Sequence, residues 1–446
     1  MKPRSFLPIL LVLLSFSLAM SQDTKENADF KLAVNLYNDK LYDLALEQFR
    51  QFVSTYPNTQ QGIEARFYLG LCQTKQSKFD DARLTFQNFA LAFPDHPRAP
   101  EAWWNVADAY VSLRNFREAA SAFERVKTFH PKSKLAPSAL VKSAEYFDLA
   151  GDPESSRKVL RTLIQDYSAS DVILPARLKL AQMYLGDNQF ELARAEAKRV
   201  SDGAKEPDQT ARALVLMARA LAGLGRYEEA QRALDDVTQK YVATSSYYDA
   251  LSYLGSMKRE LGYASSAFTS WKQIDADSAR APAQVRQQAL IRLGDGHWLR
   301  GETTKALQSF EAASRISSPQ RGEALYKAGL AAEQGGEFQK AQSCLSRALA
   351  DTASPVPPAD VLIAAARVSE KAENHAEALR LYSTFQSRFP TDQRLAQTLL
   401  DAARICQRSL RDYPQALSNY DALISRYPGS ALIDEALFGK GEALRL

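Results

Sequence analysis

Hydrophobic positions recur at helical spacing along nearly the whole chain, and residues 102–131, AWWNVADAYVSLRNFREAASAFERVKTFHP, show the unit most openly. Trp103, Val106, Ala107 and Tyr110 stand at i, i+3, i+4 and i+7, on one face of a first amphipathic helix. Asn115-Phe116 predicts the turn. Ala119, Phe123 and Val126 mark the buried stripe of a second helix. Pro131 predicts its end, because a proline there cannot donate the next hydrogen bond.

The unit repeats in steps of 37. Small residues fall at Ala33, Gly70, Ala107, Ala144, Ala181, Ala218 and Gly255, and a second series runs Ala45, Ala82, Ala119, Ser156, Ala193, Ala230 and Ala267. Pro57, Pro94 and Pro131 keep the same step, and Tyr167 and Tyr241 hold the place just before it in later copies. Such a period implies a solenoid of helix pairs. Small residues belong where two helix backbones cross closely, since larger ones would force them apart.

Trp103, Val106, Ala107, Tyr110, Phe116, Ala119, Phe123 and Pro131 resemble the tetratricopeptide pattern of Trp, Leu, Gly or Ala, Tyr, a turn aromatic, Ala, Phe and Pro. The step is about three residues longer than that family's usual 34 or so. The extra length falls between repeats, as in residues 93–100, FPDHPRAP. That spacing is similar to the tetratricopeptide proteins of bacterial envelopes, of the Tol-Pal-associated periplasmic and BamD-like kinds. The resemblance implies an all-α fold, a right-handed α-solenoid of about eleven stacked helix hairpins, with one extra C-terminal helix.

Array 22–274 would carry repeats one to seven, and 275–446 repeats eight to eleven and a half repeat, as one continuous superhelix. The rhythm loosens after Ala267, whose counterparts are Ala306, Ala341, Ala378 and Ala416, so the steps become 39, 35, 37 and 38. Asp275–Pro282 and Ser354–Pro358 flank this section. It predicts a change of curvature, with a domain boundary as the alternative. After Pro428 a twelfth first helix begins. Leu432, Ile433, Ala436, Leu437 and Phe438 make it apolar enough to want a cover. It is expected to be an imperfect cap, a partner's docking face or the start of a longer array, the last being preferred.

Residues 1–21 read as a secretory signal peptide. Lys2 and Arg4 supply the positive start, Leu7–Leu18 the apolar run and Ala19-Met20-Ser21 a small-x-small cleavage site. The apolar run is short for a membrane span. No Cys follows the cleavage site, so the lipid attachment of BamD-like lipoproteins is not available. The expected location is periplasmic or extracellular, with outer-membrane association as a variant and an uncleaved anchor as the alternative. Residues 21–27 should form a short leader.

Composition changes the picture little. Hydrophobic content of 46% supports a buried core rather than disorder. Of 56 Lys and Arg, two lie in the signal segment, which leaves 54 against 52 acidic residues, too balanced to favour a nucleic-acid partner. Cys72, Cys344 and Cys406 sit in different repeats and read as small apolar core residues, not disulfides.

Catalytic, metal-binding and cofactor-binding residues are not expected. His96 and His130 lie in loops beside prolines, His297 on a first helix and His375 at a turn. No HExxH, paired-Cys, GxSxG or Walker-type pattern occurs. Gly225, Gly301 and Gly335-Gly336 read as turn glycines.

The resemblance instead implies an inner face lined by the first helices. It maps Phe30, Val34 and Tyr37, then Phe67, Leu71 and Lys75, then Glu101, Trp104 and Asp108 to inward positions. Phe30, Tyr37, Phe67, Leu71, Trp104 and Asp108 are therefore the expected partner-binding residues. The competing reading packs these rings between adjacent first helices. Phe30 and Val34 replace the polar residues with which the family's chaperone-tail binders grip a carboxylate. Repeats four to seven bring a mixed-charge lining, including Glu145, Asp148, Gln182, Arg212, Arg219, Asp249 and Arg259. The function expected is a non-enzymatic scaffold of a bacterial envelope holding protein or peptide partners. The alternatives are a targeting region of a larger envelope enzyme, such as one acting on peptidoglycan, and a structural protein that self-assembles through its C-terminal helix.

Overall fold

A computed structural model describes residues 25–446, so the expected signal peptide lies outside the described residues. Every regular element among them is helical. Packing divides the chain after Arg226 into two compact units. This is not the division at 274/275 that the loosened rhythm suggested.

The first unit holds α1 (25–38), α2 (Tyr42–Thr55), α3 (Gln60–Lys75), α4 (Phe79–Ala92), α5 (Ala99–Ser112), α6 (Phe116–Phe129), α7 (Ala136–Leu149), α8 (Pro153–Asp166), α9 (Ile173–Gly186), α10 (Phe190–Gly203) and α11 (Pro207–Gly223). The second holds α12 (Tyr227–Lys240), α13 (Ser246–Glu260), α14 (Ala264–Ala276), α15 (Ala283–Leu299), α16 (Thr303–Ser314), α17 (Arg321–Gln334), α18 (Phe338–Ala350), α19 (Pro358–Lys371), α20 (His375–Arg388) and α21 (Leu395–Arg404). A π turn (Ile405–Leu410), α22 (Tyr413–Arg426) and α23 (Ile433–Arg445) complete it. Within each unit, consecutive helices pack on one another in a solenoid-like order. Lys25, Glu26 and Asn27, expected in the leader, already belong to α1.

One residue makes each reversal. Lys40, Ser77, Arg114, Gly151, Asn188, Gly225, Gly262, Gly301, Gly336, Glu373 and Arg411 have φ between 56° and 86°. This left-handed residue lets the following amides bond back to the last carbonyls of the first helix. At Arg114 the bonds are Arg114 N–H to Val111 O and Asn115 N–H to Tyr110 O, both 2.9 Å. Asn115 is therefore the cap of α6 and Phe116 its first residue, so the turn lies one residue earlier than Asn115-Phe116.

Second helices start with favourable chemistry. Asp152 accepts from Ser155 N–H ahead of Pro153, and Asp80, Asp81, Glu118 and Glu191 place negative charge at the positive end of the helix dipole.

Both series of small residues are buried throughout. From Ala33/Ala45 to Ala366/Ala378 the two lie twelve positions apart. The irregular steps leave that spacing intact: α15 extends to 17 residues and α16 shrinks to 12. Ala403 and Ala416 are thirteen apart, because the π turn inserts one residue between them. Where the polar Ser156 takes a small-residue place, its hydroxyl donates to the carbonyl of Ala144. All three cysteines are buried and free, and burial pushes the Cys72 thiol up to about 12 and that of Cys406 to about 11.

Candidate functional site

The six residues expected to line an inner face do not share one surface. Phe30 is half-buried, with ring centroids 5.4 Å from Phe52, 6.2 Å from Phe49 and 6.1 Å from Tyr68. Tyr37 stands 5.5 Å from Tyr68 and 5.6 Å from Tyr42. Both belong to the core of the first hairpin and α3.

Phe67 is fully buried and corrects the expectation outright. Its ring packs 5.1 Å from Phe86 and 5.4 Å from Phe89, with the Arg98 guanidinium 3.9 Å from its centroid. A large ring at this place on α3 reaches the seam between α3, α4 and α5, where water does not follow. Leu71 and Trp104 pack against the same cluster. Leu32, next to the buried Ala33 on α1, is exposed.

Trp104 and Asp108 alone keep the character of a site. Trp104 is half-buried, edge-on to Phe123 at 5.0 Å, and hydrogen-bonds to the Asp108 side chain one helical turn on. Asp108 is exposed at its edge, yet desolvation raises its carboxyl above the ordinary range, against the opposing pull of Trp104 and Lys142.

His297, His96 and several acids are engaged locally. His297 Nδ1 lies 2.6 Å from Glu302, whose carboxyl is held below its usual range first by that bond and then by Lys305. His96 Nε2 is 3.5 Å from Glu64, which Arg98 also pairs at 3.2 Å. Glu333 bridges Arg367 and Lys371. Among the described residues no group of three His, Cys, Asp or Glu is placed to hold a metal ion.

An accessible apolar site lies in the second unit, and of its lining the sequence pattern had pointed to Arg259 alone. A cleft of about 440 Å3 opens between α13, α15 and α17. Trp298, Leu299 and Leu330 form its walls, with Phe310 beneath and Arg259, Asp295 and Lys327 at the rim. Leu299 is 84% exposed, far more than its packed neighbours allow in the core. Lys327 donates to Asp295 at 2.8 Å and pairs with Glu323 at 3.1 Å, which fixes one lip. Arg259, on the other lip, is exposed. The arrangement suits a bulky apolar side chain with a carboxylate beside it. The signal was present: Trp298-Leu299 puts two large apolar residues at the exposed end of a first helix.

Tetratricopeptide repeat patterns match residues 73–134, 215–268 and 326–392 in one form and 27–59 and 397–430 in another, together more than half of the chain. No curated protein matches. The chain is similar to the C-terminal part of a tetratricopeptide repeat-containing protein from Cytophaga hutchinsonii, at 16% identity and TM-score 0.43, over 59% of this chain and 98% of that one. A tetratricopeptide repeat protein from Parabacteroides merdae aligns at 14% identity and TM-score 0.40, over 61% and 99%. The Cut9–Hcn1 hetero-tetramer of APC/C contains a chain aligning at 10% identity and TM-score 0.33, over 92% and 95%.

Proposed function

The chain belongs to the tetratricopeptide repeat family, and from that premise we propose that it is a non-enzymatic scaffold of a bacterial cell envelope. Repeats of this family serve protein–protein interaction, and the finer reading concerns where and with what chemistry. The observation that carries it is the apolar cleft of Trp298 and Leu299 on α15 and Leu330 on α17, with Arg259 reaching its rim from α13 and both signs of charge around it. An extended partner segment would place an apolar side chain there and an acidic neighbour against Arg259. The envelope location is supported by the signal-like pattern of Lys2, Arg4, Leu7–Leu18 and Ala19-Met20-Ser21. No helix among the described residues is long and apolar enough to cross a membrane.

A photo-crosslinking residue at Leu299, compared in living cells with one at the exposed Leu192 on α10, tests the site. A discrete adduct specific to position 299, recovered from the envelope fraction, is the expected result. Equal labelling from both positions, or recovery from the cytosol alone, overturns the reading.

A further inference from the structure

Gly255, Gly294, Gly329 and Ala366 are the small residues of α13, α15, α17 and α19. Between neighbouring first helices, the side chain four positions after one small residue is matched with the side chain one position after the next. On α17 and α19 these are Glu333 and Arg367, which pair at 2.7 Å. On α15 and α17 they are Trp298 and Leu330, the apolar walls of the cleft. On α13 and α15 the same count gives Arg259 and Asp295, a cation and a carboxylate that both line the cleft.

Those two are nevertheless not paired, because Asp295 is held from the other side. Lys327 on α17 donates to both of its oxygens, at 2.8 and 3.0 Å. The same ammonium pairs with Glu323 at 3.1 Å and lies 5.9 Å from the centroid of Phe310 on the cleft floor. Arg259 is in no ion pair among the described residues. One acid thus stands between two bases and serves only one of them.

The alternative pairing is balanced in charge. Lys327 keeps Glu323 when Asp295 leaves it. The Asp295 side chain is only 27% exposed, so a carboxylate released there is drawn to the next cation. A guanidinium also offers a carboxylate two parallel bonds, which an ammonium does not.

We propose that Asp295 is a gate on the cleft and that Lys327 is the positioning residue that keeps it open. With Lys327 in place, Asp295 is turned to α17 and Arg259 is free for a partner's acidic side chain. Without that hold Asp295 turns to α13, occupies Arg259 and bars the mouth beside Leu299. The gate rests on the reading of this cleft as the partner site, and it decides when that site is available.

Phenylglyoxal, which modifies free guanidinium groups faster than carboxylate-paired ones, reads the gate with no partner present. The full chain is treated to low conversion, and modification of Arg259 is measured by mass spectrometry relative to Arg114, an exposed arginine at the α5–α6 turn. Lys327→Met should slow Arg259 about threefold or more. Asp295→Asn should change nothing while Lys327 is present, and should restore the parent rate in the Lys327→Met background. Loosening of the fold would speed Arg259, so a slowed rate is not a folding defect. A rate that Lys327→Met does not slow overturns the proposal. Equal effects of Asp295→Asn in both backgrounds, which the charges alone would produce, overturn it too.

The adduct of the position-299 crosslinker should fall in Lys327→Met and return in Lys327→Met/Asp295→Asn. Rates that follow the gate, with no adduct in the parent, count against the partner site and for the gate. An adduct in the parent, with rates that ignore Lys327, counts against the gate alone.

Discussion

A methyl group on Gly70 would stand 2.7 Å from the ring of Phe86, sixteen positions further along the chain. The ring is fully buried and cannot retreat. Replacing a mid-helix glycine by alanine ordinarily gains about 1 kcal/mol of helix propensity. Overpacking a closed core costs about 1–3 kcal/mol. Gly70→Ala is therefore expected to lower stability in urea titrations. Gly441→Ala, in open space on α23, should leave it unchanged or raise it slightly. A stabilised Gly70→Ala would show that the crossing has slack.

Five turns place a residue other than Gly or Asn in the left-handed region: Lys40, Ser77, Arg114, Glu373 and Arg411. Each bears a Cβ penalty of about 1 kcal/mol or somewhat more. Arg114→Gly and Glu373→Gly should each stabilise by up to about 1 kcal/mol, part being lost to the freer unfolded chain. Gly301→Ala should destabilise by a similar amount, and paired melts of the three variants check the signs.

Asp392 is held down to about 2, first by Arg394 and then by the Arg394 backbone amide. Its folded value lies below the ordinary carboxylate range, so its contribution is present above about pH 4 and lost as pH falls toward 2. Asp392→Asn should be less stable than the parent at neutral pH, with the gap closing near pH 2.

Glu370 has the opposite sign. Burial, then Asp401, raises it. The fold favours its protonated form, a contribution present below the ordinary value of about 4.3 and lost as pH rises through the folded one. Glu370→Gln should stabilise at pH 7 and be neutral in acid, and chemical melts across pH read both.

Phe67→Ala and Leu299→Glu separate core from surface. The first empties a fully buried site and should cost about 3–5 kcal/mol. The second changes an exposed side chain and should leave the melt within about 0.5 kcal/mol while lowering recovery of the partner that the position-299 crosslinker identifies. Loss of adducts in Phe67→Ala at temperatures where it remains folded would return the first unit to consideration as a binding surface.

The 37-residue step, the paired helices, the burial of both small series and the character of the three cysteines were all legible in the residues. Each follows from spacing along one chain: a helix puts i and i+4 on one face, and a close crossing tolerates only Ala, Gly or Ser. The departures from 37, at 39, 35 and 38, were visible as counts only. That α15 lengthens, α16 shortens and a π turn takes up the last residue depends on how hydrogen bonds are redistributed.

Which first-helix side chains meet water was decided by the tertiary structure. Phe67 and Leu299 are both large apolar residues on first helices, and one is fully buried while the other is 84% exposed. The difference lies in their neighbours: Phe86 and Phe89 close over Phe67, while no ring closes over Leu299. Period and hairpin are properties of local spacing, and the chain spells them out. Exposure on a first helix is a property of the volume that three neighbouring helices leave between them, and no one-dimensional pattern carries that volume.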